Sequence, residues 1–92
     1  MTSNNHDGIV AKGKCFPLNN APLQKPCIIR QCHLLPDIKT RLGEMGLTID
    51  TVVTVIKKAP LGDPLEIQVR GYSLCIRATE AEHFLVEEVA ND

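Results

Sequence analysis

The feature that most constrains this fold is a pair of alternating segments, LEIQVR and YSLCIR, separated by a single glycine. Apolar and polar residues alternate along both segments, which is the period of a β-strand with one buried face. The residues predicted to face inward are Leu65, Ile67, Val69, Tyr72, Leu74 and Ile76. Cys75 then lies on the outer face. Because the connection at Gly71 is so short, the two segments predict a tight antiparallel hairpin.

Three more segments are typical of strands. TVVTVIKK alternates with Val53 and Val55 on one face, and Phe84 and Val86 alternate near the end of the chain. Residues 27–34 contain two adjacent isoleucines and lie between two prolines, which favours a short strand.

One helix is predicted between these strands, in PDIKTRLGEMGL. Ile38, Leu42 and Met45 fall at i, i+4 and i+7, which places them on one apolar stripe, and we expect Met45 to join the core. Gly46 is suited to end the helix in a left-handed conformation, so that Leu47 folds back on Leu42. Further along, Thr79 and Glu82 have the spacing of a capping box for a brief helical turn.

The N-terminal part has a different composition. Residues 1–14 are mostly polar and predict a flexible tail, because they bury too little apolar surface to offset the entropy of ordering. Residues 15–26 contain three prolines and predict an irregular loop anchored by Phe16, Leu18 and Leu23. Residues 15–90 would then form one mainly β domain: a small, partly open barrel with one inserted helix and a helical turn before the last strand.

Composition excludes several classes of function. The 92 residues carry 10 Lys and Arg against 11 Asp and Glu, so no overall positive field attracts nucleic acid or a membrane surface. No apolar run is long enough to cross a membrane and the first residues do not resemble a secretory signal, so we expect a cytoplasmic protein without membrane insertion. No phosphate loop and no nucleophile with its base are recognisable, which predicts a protein that is not an enzyme and uses no cofactor.

The cysteines raise the question of a metal site. Cys27, Cys32 and His33 are the residue types that bind transition metals, but their spacing differs from the close pairs of common zinc modules. In a reducing compartment, buried cysteines behave as small apolar residues. We therefore predict no metal ligands, and convergence of these three residues is the alternative.

The segment APLGDP, residues 59–64, separates two predicted strands. Pro60 and Pro64 restrict its ends, Gly62 can adopt positive φ, and the carboxylate of Asp63 can accept hydrogen bonds from nearby backbone groups. Leu61 would then lie at the tip of a preorganised loop, which loses little entropy on binding a partner. The alternative is that Leu61 folds back on the barrel and that the segment is only a firm turn.

Three motifs in order, RLGEMGL, APLGDP and RGYSLCIR, followed by EAEHFLV, resemble the FeoA family, the small cytoplasmic partners of the bacterial ferrous iron transporter FeoB. The resemblance covers about half of the chain directly and implies an SH3-like barrel with an inserted helix. Family members often have Pro-Gly in the turn after the helix, where this chain has Ile49-Asp50. Aspartate tolerates unusual backbone angles, so we expect the turn to persist.

The resemblance also implies a function. It favours a non-enzymatic adaptor that binds the cytoplasmic GTPase domain of FeoB and modulates iron uptake, with loop residues 60–64 as the contact. Arg41, Arg70 and Arg77 are further candidates because arginine is enriched at interfaces, although scattered arginines more often belong to a solvated face.

Two other functions stay open at this level. SH3-like domains also occur at the C-terminal end of iron-dependent repressors, so a metal-binding or metal-sensing module is one alternative. This chain, however, has no recognisable DNA-reading helix pair. A peptide-binding SH3 mimic is the other. That mode needs an aromatic groove, and the chain has only Phe16, Tyr72 and Phe84.

Overall fold

The computed structural model describes residues 11–89, which form six strands, two short helices and one 3-10 turn. The strands are β1 (Ala11–Pro17), β2 (Pro26–Cys32), β3 (Val52–Lys58), β4 (Leu65–Val69), β5 (Tyr72–Ile76) and β6 (Phe84–Val89). The helices are α1 (Pro36–Glu44) and α2 (Ala78–Ala81), and Leu18–Asn20 form the 3-10 turn.

All six strands belong to one antiparallel sheet with the order β1-β6-β2-β3-β4-β5. Within the described residues β1 and β5 do not pair with each other, so the sheet curves around its core without closing. The predicted fold class, a mainly β, partly open barrel with an inserted helix, is confirmed.

The core is formed by the inward positions of the strands together with α1 and the 3-10 turn. The alternation predicted for β3 and β4 is confirmed, since Val53, Val55 and Ile67 are all buried. The largest fully buried side chains are Phe84, Leu18, Ile29, Leu42, Leu65, Ile67, Val53, Val55, Val69 and Val86.

The hairpin of β4 and β5 forms as predicted. Arg70 and Gly71 make its two-residue turn with φ of +50° and +90°, and Val69 lies opposite Tyr72. Two positive φ angles are typical of the type I′ turn, whose twist matches that of the flanking strands. The inward position predicted for Tyr72 is wrong: its side chain is 45% exposed and its hydroxyl donates to the carbonyl of Met45, at the end of α1.

Helix α1 begins and ends where the sequence predicts. Gly46 has φ of +105°, and the backbone N–H of Leu47 donates to the carbonyl of Leu42 at 3.0 Å, while that of Gly46 donates to Gly43 at 3.0 Å. These two bonds make a Schellman motif, which satisfies carbonyls that the helix end would otherwise leave unpaired. Met45 does not join the core: it is the C-cap residue, outside the regular helix that ends at Glu44, and it is 39% exposed.

The turn after α1 persists with Ile49-Asp50. Asp50 has φ of +69°, and the N–H of Thr51 donates to the carbonyl of Thr48 at 3.2 Å. The carboxylate of Asp50 contacts the guanidinium of Arg30 on β2 at 2.8 Å, and Arg30 also contacts Glu87 on β6 at 2.8 Å. These carboxylates raise the pKa of Arg30, so this charge cluster joins the turn to the sheet.

The capping box predicted at Thr79 and Glu82 is wrong by two residues. Helix α2 begins at Ala78, and the carboxylate of Glu80 accepts the backbone N–H of Arg77 at 3.2 Å. Glu80 therefore occupies the third helical position that was predicted for Glu82, because β5 ends at Ile76 and the helix follows at once.

The N-terminal boundary also differs from the prediction. Residues 11–14 of the predicted tail and residues 15–17 of the predicted loop form β1, which pairs with β6; residues 1–10 lie outside the described residues. Leu18 anchors the segment as expected, but Leu23 is 47% exposed and does not. The strand was missed because AKGKCFP contains two lysines, a glycine and no β-branched residue, and because its pairing with β6 determines its structure.

Candidate functional site

The 59–64 loop joins β3 to β4 and has a defined conformation. The N–H of Ala59 donates to the carbonyl of Pro64 at 3.0 Å, and the N–H of Gly62 donates to Ala59 at 2.7 Å. Gly62 has φ of +84°, which glycine adopts without strain. Leu61 is 96% exposed, so it does not fold back on the barrel.

Asp63 connects this loop to a distant part of the chain. Its Oδ1 accepts the backbone N–H of Ala78, the first residue of α2, at 2.8 Å. An N–H in the first turn of a helix has no partner within that helix, so the carboxylate acts as a cap supplied from another element. The sequence suggested a bond between Asp63 and a nearby backbone group; the observed partner is fifteen residues further along.

Beside the loop lies a groove of about 580 Å³, which we call the arginine groove. It is lined by Arg41, Asp63, Pro64, Cys75, Ile76, Arg77 and Glu80. Four elements meet here, namely α1, the 59–64 loop, the end of β5 and the start of α2.

Both carboxylates of the arginine groove already have partners. Glu80 contacts the guanidinium of Arg41 at 3.0 Å and also caps α2, while Asp63 accepts the N–H of Ala78. The guanidinium of Arg77 has no hydrogen bond or ion pair to any residue in the range 11–89. The groove therefore presents one guanidinium without a partner among residues 11–89, one ion pair between Arg41 and Glu80, and the charged carboxylate of Asp63, which a backbone N–H already occupies.

Seven of the eight predicted contact residues lie in one region. Arg41, Asp63, Pro64 and Arg77 line the arginine groove, and the 59–64 loop that forms its margin contains Pro60, Leu61 and Gly62. Arg70 is the exception. It lies at the opposite end of β5, where it donates to Thr51 Oγ1 at 3.5 Å and lines a different groove with Gln68.

Sequence reasoning missed three residues of the groove: Cys75, Ile76 and Glu80. The outward position predicted for Cys75 is confirmed, but alternation along a strand does not show which loop lies beside it. Glu80 was not identified because the capping box was predicted at Thr79 and Glu82, two residues after its actual position.

The residues of the metal alternative do not converge. Cys27 is buried on β2, and Cys32 lies five residues further along the same strand, roughly 16 Å away at strand spacing. His33 is exposed and its ring contacts Gln31 at 2.8 Å. Burial, with a smaller contribution from Glu88, raises the pKa of the Cys27 thiol from 9.0 to about 11, which disfavours the thiolate that binds metals. Residues 11–89 contain no group of three metal-ligating side chains.

Within the same residues, no helix is both long enough and apolar enough to cross a bilayer.

An open six-stranded antiparallel sheet with two short helices defines a small SH3-like β domain. The family model described as FeoA domain matches residues 16–88. The chain therefore belongs to the FeoA family, a family of small SH3-like domains linked to ferrous iron transport.

Solved structures agree with this assignment. The chain is similar to the FeoA protein of Chlorobium tepidum, with 30% identity and a TM-score of 0.78 over 84% of this chain and 73% of that one. It is also similar to FeoA of Stenotrophomonas maltophilia, with 28% identity and a TM-score of 0.65 over 77% and 88%. That structure contains zinc, and its authors describe it as a unique prokaryotic SH3 domain protein and propose it as a ferrous iron transport activating factor.

The fold also occurs in ScaR, a protein solved with bound zinc, at a TM-score of 0.71 and 21% identity over 83% of this chain and 37% of that one. At that identity the likeness concerns the fold alone. A search of curated proteins found no match to this chain.

Proposed function

We propose that this protein is a non-enzymatic accessory protein of bacterial ferrous iron uptake, which binds the cytoplasmic GTPase domain of FeoB and modulates the transporter. Membership of the FeoA family supports the connection to iron transport. The observation that carries the proposal is Leu61, which is almost fully exposed at the tip of a hydrogen-bonded loop beside the arginine groove.

The physical argument concerns the cost of binding. A side chain on a mobile loop loses conformational freedom when it is buried in a partner, whereas the 59–64 loop is already held by two backbone bonds and by the bond from Asp63 to Ala78. An apolar anchor surrounded by polar groups is also the usual anatomy of a protein interface. Leu61 with the arginine groove has this arrangement.

The non-enzymatic part of the proposal is supported by the state of the two groove carboxylates. A general base needs a carboxylate that is available to take a proton. Asp63 is bonded to Ala78, and Glu80 is bonded to both Arg41 and the backbone of Arg77. The groove is better suited to binding than to proton transfer.

The proposal is tested by measuring the affinity of the purified FeoB cytoplasmic domain for the full chain by calorimetry. We expect Leu61→Ser to weaken binding by about 30-fold, which corresponds to the loss of an interface hot spot. Leu23→Ser is the matched control, because Leu23 is also exposed but lies on the segment before β2. Equal affinities for Leu61→Ser and Leu23→Ser would refute the role of the loop, and no binding by the unmodified chain would refute the proposed partner.

A further inference from the structure

The outer edge of β5 is an unpaired strand edge next to the arginine groove. Tyr72, Leu74 and Ile76 lie opposite Val69, Ile67 and Leu65 of β4. In a hairpin closed by a two-residue turn, these alternate residues direct both backbone groups to the partner strand. Ser73 and Cys75 therefore direct their N–H and C=O groups away from the sheet, and no residue in the range 11–89 pairs with them.

The two edges of the sheet differ in how well they could accept another strand. On β1 the register shifts between Ala11 and Cys15, Gly13 has φ of +87°, and the strand ends at Pro17. A bulge and a proline are the usual means by which proteins block edge pairing. On β5 all five residues keep one register with β4, without a bulge or a proline. The edge of β5 is the one that remains suitable for strand addition.

The charges beside the edge of β5 determine which kind of added strand this edge favours. The unpaired guanidinium of Arg77 directly follows β5, and Arg70 is the first of the two turn residues at the other end of β5. A second copy of the chain, paired antiparallel with β5, would bring Arg77 of one copy near Arg70 of the other at both ends, and like charges across strands destabilise pairing. An acidic segment would instead neutralise Arg77.

We infer that the edge of β5 binds an extended acidic segment of the partner, which adds to the sheet as a seventh strand and places a carboxylate against Arg77 in the arginine groove. This inference rests on the proposed function, since it names the part of the FeoB cytoplasmic domain that the site would recognise. Backbone bonds to Ser73 and Cys75 supply the affinity in this mode, and side chains supply the selectivity.

The test uses a nine-residue, acetylated and amidated peptide of alternating valine and threonine with one glutamate near its N-terminus, which antiparallel pairing with β5 places beside Arg77 and away from Arg70. The peptide is titrated into the labelled full chain and followed by amide NMR. We expect the amides of Ser73 and Cys75 to shift and to exchange more slowly with solvent. The same peptide with lysine in place of glutamate should bind about tenfold more weakly, because a charge-assisted hydrogen bond is lost and repulsion replaces it.

Two matched pairs of variants distinguish the contribution of backbone hydrogen bonds to peptide binding from the contribution of the arginine charge. Cys75→Pro removes an N–H that faces away from β4, so the hairpin is retained while peptide binding is lost; Cys75→Val keeps that N–H and should bind normally. Arg77→Gln should weaken binding by about tenfold and Arg70→Gln should not. Circular dichroism confirms that each variant is folded, and the arginine pair tests the inference even if Cys75→Pro unfolds.

The inference is overturned if the shifts lie away from β5, if the lysine peptide binds as well as the glutamate peptide, or if Arg70→Gln and Arg77→Gln behave alike. Concentration-dependent broadening at β5 without peptide would place a second copy there and also overturn it. Measuring the affinity of Cys75→Pro and Leu61→Ser for the FeoB domain distinguishes strand addition at β5 from the proposed function as a whole. A domain that binds Cys75→Pro normally but not Leu61→Ser refutes only strand addition, whereas a domain that binds no form of the chain refutes the proposed function.

Discussion

At the scale of the residue, Asp63 links the 59–64 loop to helix α2 at the arginine groove. Its carboxylate accepts the N–H of Ala78, so the loop conformation and the start of α2 are held by one bond. The sequence could identify Asp63 as a residue that accepts backbone bonds, because aspartate in a Pro-Gly-rich turn commonly does. It could not identify the partner, since the approach of residues fifteen positions apart depends on how β4 and β5 pair.

We predict that Asp63→Ala lowers the free energy of unfolding by about 1 kcal/mol, the usual cost of losing a side-chain cap, while Asp63→Asn costs less because its amide oxygen still accepts the bond. Urea denaturation measures both. Equal stability of Asp63→Ala and the unmodified protein would show that the bond to Ala78 contributes nothing.

Cys27 is predicted to be an inert thiol. Burial, aided by the charge of Glu88, raises its pKa from 9.0 to about 11, so the folded protein disfavours the thiolate. The unfolded chain ionises near pH 9.0, before the folded one, so the stabilisation is complete below pH 9.0 and is lost as pH rises to about 11.

At pH 8 we therefore expect alkylation of the exposed Cys15 and Cys75 to be complete long before Cys27 reacts, as mass spectrometry of the native protein would show. Cys27→Ala should reduce the fall in stability between pH 9 and 11, although it also leaves a small cavity. Modification of Cys27 at the same rate as Cys75 would contradict its burial.

At the scale of the element, α1 and the hairpin were predictable because their signals are local. Proline at the start of α1, Gly46 at its end and the alternation around Gly71 each determine structure within a few residues. Strand β1 was not predictable, because its pairing with β6 joins residues about seventy positions apart. The arginine groove was not predictable for the same reason, because its residues come from four elements.

Alanine substitutions at the two glycines near the end of α1 are predicted to change stability in opposite directions. Gly46→Ala forces an L residue into φ of +105° and brings its Cβ to 2.7 Å from Tyr72 Oη and 3.2 Å from Val69 Cγ1. We expect a loss of at least about 1 to 2 kcal/mol from the backbone conformation alone, with the contacts adding to it. Gly43→Ala lies within the helix, and its Cβ would meet only Thr48 Cγ2 at 3.8 Å.

Gly43→Ala should therefore stabilise the protein, by about 0.5 to 1 kcal/mol, because alanine has the higher helix propensity. If close packing against a neighbouring element required a glycine at position 43, Gly43→Ala would instead destabilise the protein. Thermal unfolding of the two variants side by side distinguishes these outcomes.

At the scale of the whole molecule, the chain combines a nearly neutral surface with one local charge arrangement. The net charge is −1, so long-range attraction to a partner is weak, and in the proposed function the loop and the arginine groove supply the selectivity. If Arg77 contacts a carboxylate of FeoB, binding should weaken as salt rises from 50 to 500 mM. Arg77→Gln should remove most of that salt dependence, because surface charge pairs are screened at high ionic strength. An unchanged salt dependence in Arg77→Gln would place the electrostatic contact elsewhere.

The central claim is that the 59–64 loop and the arginine groove form the surface that binds the transporter. An amide NMR titration of the full chain with the FeoB cytoplasmic domain, with and without GTP, tests it most directly. We predict shifts or broadening at residues 61–63 and at Cys75, Arg77 and Glu80, with little change around Leu23. Binding that perturbs a different face of the sheet, or no perturbation in either nucleotide state, would contradict the claim.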